Sequence, residues 1–240
     1  MARVLSLALC LLALMLAACG DDDSGSDSGS GSGGASADTE RAAKPKAEEP
    51  TEGAGCKKVA APKPKPDGGA KKPDMKLDPA KTWQVDMTTS CGEITIELDP
   101  KTSPNTSASF VSLARSGFYD GTTFHRIVPG FVIQGGDPTG TGTGGPGYSV
   151  VDTPPSDAAY TEGVVAMAKT GAEAPGTSGS QFYIVTASDA GLPPDYALLG
   201  KVTDGLDVVL AISELGDAAS GESGTPLRPV VIEGMKVRES

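Results

Sequence analysis

The sequence predicts a mainly β domain folded as a closed antiparallel barrel or a sandwich. Three observations predict it: many short strand-like runs, frequent Gly and Pro between them, and only two helical segments. No regular helix separates successive strands, which argues against a parallel βαβ sheet.

The elements follow in chain order. "TWQVDMTTSCGEITIELDP" reads as two strands about a turn near Ser90–Gly92, because Ile94, Ile96 and Leu98 alternate with Thr95 and Glu97. "SPNTSASFVSLARSG" reads as a helix. Ser103 is its candidate N-cap, Pro104 sits in the first turn and Gly117 marks the stop. Phe110, Leu113 and Ala114 share one face at helical spacing. "TTFHRIV", "GFVIQGG", "GVVAMAK", "SQFYIVTA" and "YALLGKV" read as short strands. "DGLDVVLAISEL" is the second helix, with Asp204 as cap and Leu206, Val209 and Leu210 facing inward. "VVIEGMKV" closes the chain as a strand, and no internal repeat is seen.

Residues 20–80 contain almost no large apolar side chains, so they cannot offset the entropy of ordering. They predict a disordered linker over 19–80, a Gly/Ser/Asp tether followed by Lys/Pro spacers, and confine the folded domain to 81–240. The Lys–Pro stretches could meet anionic lipid or wall polymer, though a solvated spacer is the plainer reading. Residues 1–18 have the layout of an export signal: Arg3, then an apolar run from Val4 to Leu16. "LAAC" at 16–19 resembles a bacterial lipobox, which implies cleavage before Cys19 and lipid on that residue. An ordinary secretory signal or an uncleaved anchor are the alternatives. The expected location is therefore extracytoplasmic, lipid-anchored to the bacterial cell membrane. Of the four cysteines, Cys10 would leave with the signal and Cys19 would carry lipid. Cys56 and Cys91 remain, and an oxidising compartment predicts a disulfide between them, two free thiols being the alternative.

The formal net charge is −11, and the folded part holds most of the excess acid. This argues against nucleic acid as a partner. Gly140, Gly142 and Gly145 meet a bare GxGxxG spacing, but Pro146–Gly147 follows instead of a helix and no Lys-Ser/Thr is present. A nucleotide site is thereby excluded. One histidine and no zinc-spaced cysteines predict no metal site and no cofactor. Ser180 lacks a nucleophile elbow and reads as a turn residue, and His125 reads as a structural hydrogen-bonding group, a general base being the alternative.

"FHRIVPGFVIQGGD", then "GVVAMAK", "SGSQFYIVTA" and "YALLGKV", resemble the cyclophilin-type peptidyl-prolyl isomerases over about 85–237. The resemblance implies a closed eight-stranded antiparallel barrel capped by two helices, with a substrate groove on its outer face. It implies that Arg126 is the catalytic arginine and that Gln134 positions it. Phe131, Val132, Tyr183, Leu192 and Tyr196 fall where the family forms the proline pocket. Ala168 and Gln181 would line the neighbouring groove, the Lys169 backbone would pair with substrate, and Gly142–Gly145 would border the groove beyond the proline. Gly191 replaces a common tryptophan, Tyr196 a histidine, Tyr183 a phenylalanine and Val132 a methionine, which puts cyclosporin affinity in doubt. The expected function is acceleration of X–Pro rotation in exported proteins by a monomer. The alternative is a non-catalytic proline-peptide-binding module or chaperone on the same fold.

Overall fold

The computed structural model describes residues 55–240. The expected signal, the lipidated Cys19 and the first part of the expected linker lie outside them.

Ten strands and two helices follow in order: β1 (Trp83–Thr89), β2 (Gly92–Leu98), α1 (Pro104–Arg115), β3 (Thr122–Val128), β4 (Val132–Asp137), β5 (Val150–Val151), β6 (Val164–Met167), β7 (Thr177–Ser178), β8 (Phe182–Val185), β9 (Leu198–Asp204), α2 (Leu206–Ser213) and β10 (Val231–Glu239). Eight of them close an antiparallel barrel in the order β1-β10-β3-β4-β8-β6-β9-β2, and β5 pairs separately with β7. Alternation decides what fills it. Val85 and Met87 of β1 stand opposite Ile96 and Ile94 of β2, and all four are buried. With Phe124, Ile127, Ile133, Val165, Met167, Phe182, Ile184 and Leu199 they form one packed cluster, so the interior is a core and not a channel. Phe182 meets Phe110, Tyr119 and Phe124 edge-on, at centroid separations of 5.6, 5.9 and 6.1 Å.

Both helices pack their apolar faces on this core, with differences at their caps. Ser103 makes no side-chain cap bond. The Thr106 N–H it would have satisfied goes instead to Asp152 Oδ2 at 2.6 Å, and Asn105 Nδ2 donates to Asp152 Oδ1 at 2.8 Å. A carboxylate from a distant segment thus does the capping, which local spacing cannot reveal. The C-terminal end follows expectation. Gly117 has φ of 69°, its N–H reaches Ala114 O, and Phe118 N–H reaches Leu113 O, a Schellman closure. In α2 the N-cap is Gly205, not Asp204, and Leu210 is exposed. The inward set is Val209 and Ile212 with Leu206 partly buried, because the helix starts later and turns its stripe accordingly.

The expected linker boundary at residue 80 also needs correction. From Cys56 onward the chain is strapped to the barrel. Cys56 is bonded to Cys91 and both are buried, as is Leu77. Lys65 Nζ donates to the carbonyls of Gly117, Phe118 and Asp120 at 3.1, 2.6 and 3.0 Å. Apolar content foretold disorder here because, Leu77 aside, the ordering comes from one covalent bond and from polar ties to backbone, neither of which hydropathy counts. The disulfide spans 35 residues of sequence. Replacing both cysteines by serine is expected to lower unfolding stability by about 2–4 kcal/mol. Denaturant titration of the two forms checks this, and equal midpoints would contradict it.

Candidate active site

The barrel's outer face over β4, β6 and β8 carries a second apolar cluster. Pleating turns Val132 of β4, Ala166 of β6, and Tyr183 and Val185 of β8 away from the core. Tyr160 completes the buried part, and Phe131, Leu192 and Tyr196 pack against it from loops.

Arg126 reaches the same face through an irregularity in β3. Phe124 and Ile127 both point into the core, although strict alternation would put residues three apart on opposite faces. The register shifts between Phe124 and Arg126, so Phe124 pairs with Gly135 and Arg126 with Gln134. The inserted residue, His125, resets the alternation and turns Arg126 outward. Among the described residues neither buried ring nitrogen of His125 has a hydrogen-bond partner of ordinary geometry, although Gln181 and the Thr123 backbone lie beside the ring. Burial pushes its pKa down, Asp137 opposing and Arg126 assisting, so the neutral imidazole is favoured beneath the groove.

The guanidinium is held from two sides. Arg126 Nε donates to the Glu222 carbonyl at 2.9 Å, and Nη1 donates to Gln134 Oε1 at 3.3 Å. Its Cζ lies 5.8 Å from the Phe131 ring centroid. Nη2 has no partner among the described residues. Partial burial draws the Arg126 pKa down, Glu222 and Tyr196 acting the other way; the group stays a cation throughout the physiological range. Arg126, Phe131, Val132, Gln134, Ala168, Lys169, Tyr183, Leu192 and Tyr196 all line one hollow of about 470 Å³. Every residue assigned to the proline pocket and its arginine therefore meets in one place.

An amide chain leads away from it. Gln134 Nε2 donates to Gln181 Oε1 at 3.0 Å, and Gln181 Nε2 donates to the carbonyls of Gly142 and Gly144 at 3.0 and 2.9 Å. Gln181, Gly142 and Gly145 line an adjoining hollow of about 370 Å³. The glycine loop is gathered by Asp137, which accepts from Thr139 N–H and Oγ1 and from Gly142 N–H at 2.7, 2.9 and 2.5 Å. Burial alone would raise the Asp137 carboxyl, but these donors together hold it below its ordinary value. A side chain at Gly144 would collide with that carboxylate.

Lys169 offers the groove its backbone, not its charge. Its Nζ pairs with Asp195 at 2.5 Å and donates to Glu173 O at 3.1 Å, while its N–H and C=O have no partner among the described residues.

The sequence reading missed four contributors. Tyr160 holds the loop bearing Tyr196: its hydroxyl donates to Tyr196 O at 2.7 Å and accepts from Tyr196 N–H at 3.0 Å. Glu222 supplies a carbonyl from beyond α2, Asp195 neutralises Lys169, and Asp137 organises the loop. Only Asp137, closing the "IQGGD" run, left a local signal: a carboxylate where a strand enters a glycine-rich turn.

Tyr183 differs from its neighbours. Its hydroxyl is buried with no partner among the described residues, and burial pushes the phenol far above its ordinary range. Tyr183→Phe is therefore expected to leave unfolding free energy unchanged or raise it by about 1 kcal/mol. A loss of more than about 1 kcal/mol in denaturant titration would show that the hydroxyl has a partner after all.

The comparisons agree with this geometry. The family model described as "Cyclophilin type peptidyl-prolyl cis-trans isomerase/CLD" matches residues 84–237. Peptidyl-prolyl cis-trans isomerase B of Bacillus subtilis is 42% identical over 143 residues, covering 59% of this chain and 92% of the relative. A probable peptidyl-prolyl cis-trans isomerase B of Mycobacterium tuberculosis is 41% identical over 171 residues, spanning 65% of this chain but 54% of that protein. A Cryptosporidium parvum cyclophilin-type isomerase, solved in the presence of the dipeptide Ala-Pro, superposes with a TM-score of 0.59 at 32% identity. That match covers 65% of this chain and 99% of that one. A closed eight-stranded barrel, an outward arginine over an apolar hollow and these relatives converge: the chain belongs to the family of cyclophilin-type peptidyl-prolyl cis-trans isomerases.

Proposed function

We propose that this cyclophilin-family isomerase accelerates X–Pro bond rotation in exported proteins, tethered outside the cytoplasm by lipid on Cys19. The observation that carries the chemistry is the Arg126 guanidinium, fixed through Nε and Nη1 beside an apolar hollow with Nη2 to spare.

An X–Pro amide rotates slowly because the nitrogen lone pair is delocalised into the carbonyl. As the bond twists, that nitrogen pyramidalises and gains a localised lone pair able to accept a hydrogen bond. A cation placed there stabilises the twisted state more than either planar ground state, which is what lowers the barrier. Phe131, Val132, Tyr183 and Leu192 would hold the proline ring, so that the acyl side turns while the ring stays fixed. The free N–H and C=O of Lys169 would pair with the substrate backbone. No proton is transferred, so the neutral His125 has no chemical task.

Export is supported by the signal-like first 18 residues and by the Cys56–Cys91 bond, since structural disulfides persist mainly in oxidising compartments. Mass spectrometry of the mature chain tests the tether. A lipid-modified Cys19 at the N-terminus is expected, and an unmodified terminus at or before Cys19 overturns it. Isomerisation of an Ala-Pro peptide tests the activity. Binding with no turnover by the wild type would favour the peptide-binding module.

A further inference from the structure

The strap from Cys56 does more than cross the barrel: it lies along the outer side of the glycine loop that walls the second hollow. Lys65 N–H donates to Pro138 O at 2.8 Å, Gly68 N–H to Gly145 O at 2.9 Å and Ala70 N–H to Pro146 O at 3.0 Å. In return Gly145 N–H donates to Asp67 Oδ1 at 2.8 Å, and Lys72 Nζ reaches Ser149 O at 2.9 Å. The backbones approach so closely that a Cβ on Gly147 would stand 3.1 Å from Gly68 Cα. On its inner side the same loop is held by Gln181, which continues to Gln134 and Arg126. The loop "TGTGTGGPG" has little side chain with which to fix itself, and glycine backbone is the most costly to order. Asp137 and a chain of threonine hydroxyls fix its first half, and beyond Gly142 its shape depends on the two clamps. The outer clamp is itself immobilised, because the Lys65 ammonium sits on three carbonyls just beyond α1.

We propose that residues 65–72 are a positioning element for substrate selectivity: they set the Gly142–Gly145 wall and thereby the affinity for residues flanking the proline, leaving bond rotation to Arg126. This rests on the isomerase reading above. Asp67 is exposed and Lys65 partly so, and neither lines the proline hollow, so their replacement should spare the fold.

The test compares two substrates on the full mature chain: a capped Ala-Pro dipeptide, and a longer peptide carrying that pair at its centre. For Asp67→Ala the KM of the longer peptide is expected to rise about three- to tenfold with kcat unchanged, the effect of one lost hydrogen bond on loop placement. The capped dipeptide should be unaffected. Asp67→Asn, which keeps an acceptor oxygen for Gly145 N–H, should restore the wild-type value. Lys65→Met should act as Asp67→Ala does. Equal changes for both peptides would reduce the strap to a general support, and no change for either would remove its role; both results overturn the proposal. If the wild type binds these peptides without turning them over, the isomerase reading falls. The ratio of Kd values for the same two peptides then decides the strap in the same way.

Discussion

Arg126→Ala is expected to lower kcat/KM for an Ala-Pro peptide by about ten- to a hundredfold. A charge-assisted hydrogen bond contributes roughly 1.5–3 kcal/mol, and each 1.36 kcal/mol is tenfold in rate. The remaining acceleration comes from the hollow, whose lining the substitution leaves in place. Arg126→Lys should recover little of the loss. One ammonium cannot donate to the Glu222 carbonyl, to Gln134 and to a third acceptor with the fixed fork that a guanidinium provides. Stability should change little, because the side chain is only partly buried and its partners remain reachable by water. Peptide isomerisation kinetics with a parallel denaturation curve check both halves. A lysine variant as active as wild type would show that charge alone suffices.

Asp137→Ala is expected to lower stability by about 1–3 kcal/mol. The carboxylate is buried and serves donors from Thr139 and Gly142, which lie nearer the surface and would have only water as a replacement acceptor. The same loss frees the glycine loop, so KM should rise for peptides that reach it. The pH dependence has a defined sign. The folded-state pKa of Asp137 is depressed, so its contribution is present above the unfolded value of about 3.9 and is lost as pH falls through the lower folded value. His125 steepens the acid limb earlier. Its folded pKa is also lowered, so the unfolded chain takes up the proton first, and stability declines once pH drops below about 6.5. Denaturation midpoints against pH for wild type and Asp137→Asn read this out; the variant should show a shallower slope in the carboxylate range only, Asp86 keeping its share. Equal slopes in that range would show that Asp137 contributes none of it.

What could be read from the sequence was what depends on neighbours along the chain. The short apolar runs located all eight barrel strands, with clear period-two alternation in β2, because each strand buries at least one face on a common core. The two-residue strands β5 and β7 carry no such run and were missed. Pro104 and Gly117 mark the limits of α1 because both act through their own backbone geometry. Its N-terminal partner, Asp152, lies 46 residues away from Thr106 and left no local trace. The same division runs through the site. Arg126, Phe131 and Gln134 stood out because a resemblance in one ordered block carried them. The bulge that aims Arg126 did not, since no residue type in "TFHRI" demands it. Glu222 acts through its carbonyl, which any residue could supply. The strap was read as linker because its ordering comes from carbonyls, one carboxylate and a disulfide, while the composition spoke only of missing apolar surface.

The central claim is that Arg126 favours the twisted bond over the planar one, and a single NMR titration measures both sides of it. Exchange line shapes of an Ala-Pro peptide give its affinity and its rate of cis–trans interconversion on the protein. For Arg126→Ala the account predicts a Kd within about twofold of wild type and an on-protein interconversion rate lower by about ten- to a hundredfold. A Kd that weakens as much as the rate falls, or a rate that does not fall, would contradict it.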